Sequence, residues 1–288
     1  MNYQQLWRSL TQHYEEGEAK AIARMVFEVR YGLTLSDLLL GKDTQLSAND
    51  QKEVEEIARR LLLHEPVQYI LGRADFCGRS YHVAPGVLIP RPETEELCRY
   101  VIARCAAQKK EPCHILDIGT GSGCIAITLA AEIPDSIVTA WDISEEALQI
   151  AQDNAQRLGV HVNFGQRDIL KQQGPPLTAH HAPHTPCWDI IISNPPYILY
   201  KERERMEDNV LNFEPHTALF VPDDAPLLFY RAIAETAQAA LKPAGILAVE
   251  INRAYGSETC ELLKNYDFNE ITLHKDSYHN NRFIIARR

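Results

Sequence analysis

The run Asp117-Ile118-Gly119-Thr120-Gly121-Ser122-Gly123 stands between a short apolar stretch, His114–Ile118, and a helical one, Cys124–Ile133. A strand that turns through three alternate glycines straight into a helix is the opening unit of an α/β sheet, and this reading decides the fold. Glycines let the backbone turn sharply and approach a bound ligand closely. A tight turn with no ligand is the plain alternative. The loop lacks the Gly-Lys-Ser/Thr ending of a triphosphate cradle, so that class falls away.

The same alternation continues downstream. Ile137–Trp141 reads as a strand followed by the helical Glu145–Leu158, and Val162–Phe164 and Asp189–Ser193 read as further strands. The helical Pro226–Leu241, the strand Ile246–Ile251 and the helical Tyr255–Lys264 follow, with terminal strands near Glu270–His274 and Phe283–Ala286. Repeated strand–helix units specify a parallel sheet covered on both faces. The last two strands have no helix between them, so one of them runs antiparallel. Lys171 to Cys187 has no periodicity and reads as a surface insertion.

Upstream, the pattern is helical. Ala21, Ile22, Met25, Val26 and Val29 recur at helical spacing, as do Val54, Ile57, Ala58, Leu61 and Leu62. Ser47 to Asp50 holds N-cap candidates for the second stretch, and Pro66 ends it. Tyr69 to Ile89 reads as β-like, with Gly72, Gly78, Pro85 and Gly86 as turn signals. The expected layout is a helical domain over 1–75, a hairpin linker over 76–90 and an α/β domain over 91–288.

Composition bounds the function. The 288 residues are 45% hydrophobic and 24% charged, an ordinary globular balance that excludes disordered and collagen-like classes. Acids outnumber bases by 39 to 29, and the net charge of −10 argues against a duplex DNA binder. The 7 cysteines form no Cys-x-x-Cys pair, which fits reduced thiols. No apolar run approaches a membrane span, and the opening residues do not read as a signal peptide, so a cytoplasmic protein is expected.

Two further features carry chemistry. Asp142 ends the second strand, where an acid accepts hydrogen bonds from ribose hydroxyls. Both NAD enzymes and S-adenosylmethionine (AdoMet) enzymes place an acid there. AdoMet carries a sulfonium cation in place of a pyrophosphate, so a second carboxylate, Asp117, suits it; bonding to the loop's own N–H groups is the alternative role. Asn194-Pro195-Pro196-Tyr197 follows the Asp189–Ser193 strand at the carboxyl edge, where such sheets bind ligands. The prolines remove two backbone donors, leaving carbonyl acceptors beside the Asn194 oxygen, and Tyr197 offers a ring for stacking. Convergent acceptors suit a planar –NH2 conjugated to a π system, held in line for methyl transfer. A rigid turn is the bland alternative.

The segments DIGTGSGC and SNPPYI, with HEPVQYILGRADF and PRPETEEL upstream, closely resemble the PrmC/HemK family over nearly the whole chain. That resemblance implies an AdoMet-dependent protein-glutamine N-methyltransferase acting on the Gly-Gly-Gln glutamine of class I peptide chain release factors. It implies a Rossmann-like catalytic domain with seven strands, the last antiparallel and inserted between two others, and an N-terminal helical domain that holds the substrate. NPPY alone is shared with adenine and guanine amino-methyltransferases; Phe213-Glu214-Pro215 points to this family. Carried over residue by residue, Gly119, Thr120, Gly121, Ser122 and Gly123 would wrap the methionine part of AdoMet, with Asp117 adjacent. Asp142 would take the ribose, Asp168 and Ile169 would lie by the adenine, and Asn194 to Tyr197 would hold the glutamine amide. Ile169 replaces an aromatic of some relatives. The family's Glu-Ile-Gly is Glu250-Ile251-Asn252 here, where Asn252 has less access to positive φ than glycine. The last strand pair is joined by residues 275–282 without a glycine.

Other features carry bland readings beside sharper ones. Arg91 to Glu95 open a helix, with proline and acids suited to a first turn, and also fit a place beside the cofactor pocket. His180, His181 and His184 lack paired acids or thiols and read as a solvated loop rather than a metal site. Lys201, Arg203 and Arg205 alternate with Glu202, Glu204 and Glu207, as on a solvated helical face. The rival readings are a nucleic-acid amino-methyltransferase, which needs a basic, base-flipping surface, and a binding module that keeps AdoMet as a structural ligand. Neither a membrane nor a stable nucleic-acid partner is expected.

Overall fold

The computed structural model describes residues 1–106, 112–171, 187–276 and 279–288. The His180, His181 and His184 cluster and most of the Lys171–Cys187 insertion lie outside them. The chain divides into two compact units, one of residues 1–73 with 206–213, the other of 74–205 with 214–288.

The first unit is helical: α1 (Tyr3–Leu10), α2 (Glu16–Tyr31), α3 (Leu35–Leu39), α4 (Ala48–Leu61) and α5 (Val67–Leu71). Ser47 caps α4, its hydroxyl accepting from the Asp50 N–H while the Asp50 carboxylate accepts from the Ser47 N–H. Val54, Ile57, Ala58 and Leu61 bury one stripe of α4 in a core shared with Leu6 and Leu10 of α1 and Ala19, Ala23, Val26 and Phe27 of α2. On α2 the buried face is displaced from the expected one, and Ala21 is exposed.

Val67–Leu71 is a correction. The stretch expected to be β-like from Tyr69 opens as helix α5, with Val67 and Ile70 buried in the helical core. Tertiary burial outweighs the strand preference of Val, Tyr and Ile. Gly72, at φ 65°, closes the helix by donating to Gln68 and Tyr69 carbonyls. The hairpin itself is short: β1 (Ala74–Phe76) pairs antiparallel with β2 (Arg79–Tyr81), and it belongs to the second unit.

The second unit continues as α6 (Pro92–Ala106), β3 (His114–Ile118), α7 (Cys124–Glu132), β4 (Ile137–Asp142), α8 (Glu145–Leu158), β5 (Asn163–Gln166), β6 (Trp188–Ser193) and β7 (Ile198–Leu199). After α9 (Asp208–Phe213) of the first unit come α10 (His216–Leu219), β8 (Phe220–Val221), α11 (Leu228–Ala240), β9 (Leu241–Glu250), α12 (Gly256–Asn265), β10 (Asn269–Lys275) and β11 (Asn281–Arg287). Among the described residues the main sheet has seven strands in the order β10-β11-β9-β6-β3-β4-β5. Strands β5, β4, β3, β6 and β9 run parallel, while β11 lies between β9 and β10 and is antiparallel to both. This is the Rossmann-like methyltransferase sheet.

Side chains alternate across it. Ile115, Ala140, Ile190, Ile192, Ala248 and Phe283 pack with Leu97 and Val101 of α6 and with the apolar α7. Leu116, Ile191, Leu247, Val249 and Ile284 pack on the other face with Tyr230 and Ile233 of α11 and Leu262 of α12. From β3 the chain proceeds to β4 and β5 on one side, whereas β6 leads to β9 on the other. The crevice at the carboxyl ends of β3 and β6 is therefore a topological switch point. Among the described residues no helix is long and apolar enough to cross a membrane.

Candidate active site

The glycine loop is held from below by the strand beside it. Gly119 and Thr120 donate their N–H groups to the Trp141 carbonyl at the end of β4. Gly119, Gly121 and Gly123 all have positive φ, which only glycine adopts freely. Gly123 is constrained twice, because a Cβ there would lie 2.8 Å from Ile127 Cδ1 and 3.0 Å from Ala151 Cβ. Its bareness lets α7 and α8 close together.

Asp117 stands behind this loop and is fully buried. Its Oδ2 accepts from the Thr120 hydroxyl at 2.7 Å and from the Ala126 N–H at 3.2 Å, while Oδ1 has no hydrogen-bond partner. Burial pushes its carboxyl up to about 7. The backbone of the loop, not the Asp117 charge, faces the crevice. Asp142 is half-buried at the tip of β4, where Oδ2 accepts from Gly121 N–H at 2.8 Å and Oδ1 from Ser144 N–H at 2.9 Å. Each oxygen keeps a further lone pair. Burial raises its pKa above the usual carboxylate value.

A cavity of about 450 Å³ joins these elements, within the range of small-molecule sites. Gly119, Gly121, Asp142, Asp168, Ile169, Asn194, Pro195 and Pro196 lie on its wall. Asp117, Thr120, Ser122, Gly123 and Tyr197 do not. Trp141 and Ile143 add apolar wall, and the Arg167 guanidinium lies 4.4 Å from the centre of the Trp141 ring.

At the other end of the cavity, Ser193 donates its hydroxyl to the Ile118 carbonyl at 2.6 Å, tying the ends of β6 and β3 together. Asn194 follows. Its Nδ2 donates to Thr94 Oγ1 at 3.2 Å, and Thr94 donates to Glu250 Oε2 at 2.7 Å. Tyr197 donates its hydroxyl to Glu250 Oε1 at 3.1 Å, so the tyrosine is anchored to the last residue of β9 rather than offered to the cavity. Burial, with the Glu250 charge next, pushes the Tyr197 hydroxyl well up.

Two residues of this site, Glu250 and Glu214, were given no role from the sequence, and a third, Thr94, was read only as part of the Arg91–Glu95 stretch. Thr94 sits in the first turn of α6, in the stretch that read both as a helix start and as fitting a place beside the cofactor pocket. Its bond to Asn194 places it directly behind the cavity wall. Glu250 follows the apolar run Ile246–Val249 of β9, a visible signal because a carboxylate is rarely buried without a task. Glu214 is buried and accepts from Ile89 N–H at 3.1 Å and from the Arg91 guanidinium, joining the segment after α9 to the approach to α6. Asn252 has φ −62°, so no glycine is required there. Its Nδ2 donates to the Tyr197 carbonyl and to Glu202 Oε2, each at 3.0 Å, and its Oδ1 accepts from Ala254 N–H. Glu202 also accepts from Leu199 N–H, so this residue is engaged rather than merely solvated.

Residues 109–281 match a family described as a methyltransferase domain, and residues 3–72 one described as the PrmC N-terminal domain. A release factor glutamine methyltransferase of Bacteroides thetaiotaomicron is 44% identical over 98% of this chain and 97% of its own length. One from Streptococcus pneumoniae is 36% identical over 94% of this chain and 92% of its own. A methyltransferase of Pyrococcus furiosus shares the fold, with a TM-score of 0.51 at 17% identity, covering 84% of this chain and 98% of that one. Relatives this similar, aligned nearly end to end, place the chain: it belongs to the release factor glutamine methyltransferase family.

Proposed function

We propose that this enzyme transfers a methyl group from AdoMet to the side-chain amide nitrogen of the glutamine in the Gly-Gly-Gln motif of class I peptide chain release factors. The observation that carries the reading is one cavity with an acid-tipped, glycine-lined end and an Asn-Pro-Pro end. The relatives named above supply the substrate class.

The residues present fit AdoMet. A sulfonium-bearing nucleoside needs an acid for its ribose hydroxyls, room beside a backbone turn and an apolar slot for its base. Asp142, the loop at Gly119 and Gly121, and Ile143 with Ile169 offer these, and Asp168 adds an acceptor for an exocyclic amine. Bound there, AdoMet supplies an electrophilic methyl group.

A carboxamide nitrogen is a poor nucleophile because its lone pair is delocalised. The protein's part is to hold it and keep it in line. Pro195 and Pro196 have no N–H, so these two residues can offer a ligand carbonyls and no backbone donors. Asn194 Oδ1 and the Pro195 carbonyl accept the two amide hydrogens, which fixes the plane of the –NH2 group and favours the lone pair turning toward the methyl donor. The spare proton leaves for solvent after transfer, so no strong base is called for.

The test is incubation of the protein with methyl-labelled AdoMet and either release factor or total RNA and DNA, followed by mass spectrometry of the Gly-Gly-Gln peptide. Label on that glutamine is expected, reduced many-fold but still measurable in Asn194→Ala. Label in nucleic acid and none in the release factor overturns the reading.

A further inference from the structure

The oxygen and nitrogen of an asparagine amide have nearly the same shape, so the partners of the side chain decide which of the two a cavity meets. At Asn194 the choice matters chemically. An –NH2 substrate meets a partner if Oδ1 faces it and meets a second donor if Nδ2 does.

The structure settles the polarity from a distance. Glu250 is 1% exposed at the end of β9 and takes one hydroxyl on each oxygen, from Thr94 and from Tyr197. Two hydroxyl donors, one per oxygen, are the complement of an ionised carboxylate, which can only accept. Thr94, itself buried, has one hydroxyl proton and gives it to Glu250. What remains on Thr94 Oγ1 is lone pairs, so toward Asn194 it can only accept, and it does so from Nδ2. We infer that Thr94 and Glu250 are positioning residues that orient the Asn194 amide, drawing its nitrogen into the protein and leaving Oδ1 for the substrate. This rests on the proposed function, in which Asn194 Oδ1 accepts from the glutamine amide.

The relay explains why a carboxylate sits where an apolar side chain would otherwise end the run Ile246–Val249. Its charge never reaches the cavity wall. The wall receives only its consequence, a fixed direction for one amide. The Glu250–Tyr197 bond serves the same end, since it clamps the tetrapeptide that begins with Asn194 at its far residue.

The experiment uses Thr94→Val, which keeps the shape and removes the hydroxyl, Thr94→Ser, which keeps the hydroxyl, and Asn194→Ala alone and combined with Thr94→Val. Steady-state methylation of release factor and calorimetric titration with AdoMet are measured on each. Thr94→Val is expected to lower kcat by about tenfold, the effect of one orienting hydrogen bond. KM for the release factor and affinity for AdoMet should stay within about twofold, and Thr94→Ser should recover most of the rate. In the Asn194→Ala background Thr94→Val should cost nothing further, because its effect passes through that amide. Losses that multiply in the double variant, or a wild-type kcat for Thr94→Val beside a many-fold slower Asn194→Ala, overturn the inference alone. A wild-type rate for Asn194→Ala overturns the site reading and this inference with it.

Discussion

Replacing Asp117 by asparagine tests whether this acid is a brace or a ligand group. In the native protein its carboxyl is raised from an ordinary value of 3.8 to about 7, because burial outweighs the two hydrogen bonds it accepts. The native state therefore holds a proton between those values that the unfolded chain has released. Stability associated with this group is full at low pH and is lost as pH rises to 7, by about 4 kcal/mol in all. Asparagine carries no charge at any of these pH values, and its oxygen can take both the Thr120 hydroxyl and the Ala126 N–H. Its amide nitrogen then replaces Oδ1, which carries the carboxyl proton in the parent, so one further donor is left without a partner, costing about 1–3 kcal/mol. The variant is expected to be less stable than the parent near pH 4.5 and equally or more stable at pH 8, as measured by urea unfolding. Only the difference between the two proteins is compared, so the other carboxylates cancel. A difference that does not change with pH refutes the reasoning, and a large loss of AdoMet affinity in the variant returns Asp117 to the ligand.

Gly123→Ala combines a strained φ of 82° with a Cβ 2.8 Å from Ile127 Cδ1. A loss of about 2–4 kcal/mol is expected in thermal or urea unfolding, and an unchanged Tm contradicts the proposed closeness of α7 and α8. Arg91→Met leaves Glu214 buried with only the Ile89 N–H, at a cost of about 3 kcal/mol. Adding Glu214→Gln should recover part of that loss, and a purely additive result argues against the pair. Asn252→Gly restores the family's residue yet removes two donors and one acceptor, so a destabilisation of about 1–3 kcal/mol is expected. Greater stability would show that the bonds to Tyr197 and Glu202 contribute nothing. Asp142→Ala should weaken AdoMet binding by about 1–3 kcal/mol through lost hydrogen bonds, and calorimetry showing unchanged affinity removes Asp142 from the site.

What the sequence reveals here is what short range determines. The β3 strand, the glycine turn and α7 declare themselves because one apolar run, three glycines and one helical stripe follow each other without interruption. The antiparallel end of the sheet is legible for the same reason, as no helix separates β10 from β11. Helix α5 is not, because its Val, Tyr and Ile favour strand locally and only the helical core makes them helix. The polar relay is legible least of all. Thr94 and Glu250 are 156 residues apart, and Asn194 is 100 residues from Thr94. Locally Thr94 is a first-turn threonine in a stretch that fits a place beside the pocket, and its partners lie too far along the chain to be read. The departure at Asn252 misleads in the opposite direction: seen as a lost glycine it suggests strain, whereas its backbone is ordinary and its side chain supplies bonds that a glycine lacks.

The pieces converge on a property shared by one stretch of the crevice wall, which is that it accepts. Pro195 and Pro196 withhold backbone donors, Thr94 withdraws the Asn194 nitrogen, and Asp142 and Asp168 add carboxylate oxygens along the same wall. While the Arg167 guanidinium adds positive charge elsewhere on the wall, acceptors of that kind gain from a cation and from uncharged N–H and O–H groups. Under the proposed reaction those are a sulfonium, a ribose and a carboxamide, and one wall serves all three. An exocyclic base amine would satisfy the Asn-Pro-Pro end equally well, so the acceptors define the chemistry of the nitrogen and not its owner. The owner must be selected elsewhere. A polynucleotide would bring a phosphate backbone to a chain of net charge −10, a cost that grows as salt falls. A protein loop carrying one glutamine brings no phosphate backbone, which accords with the proposed substrate.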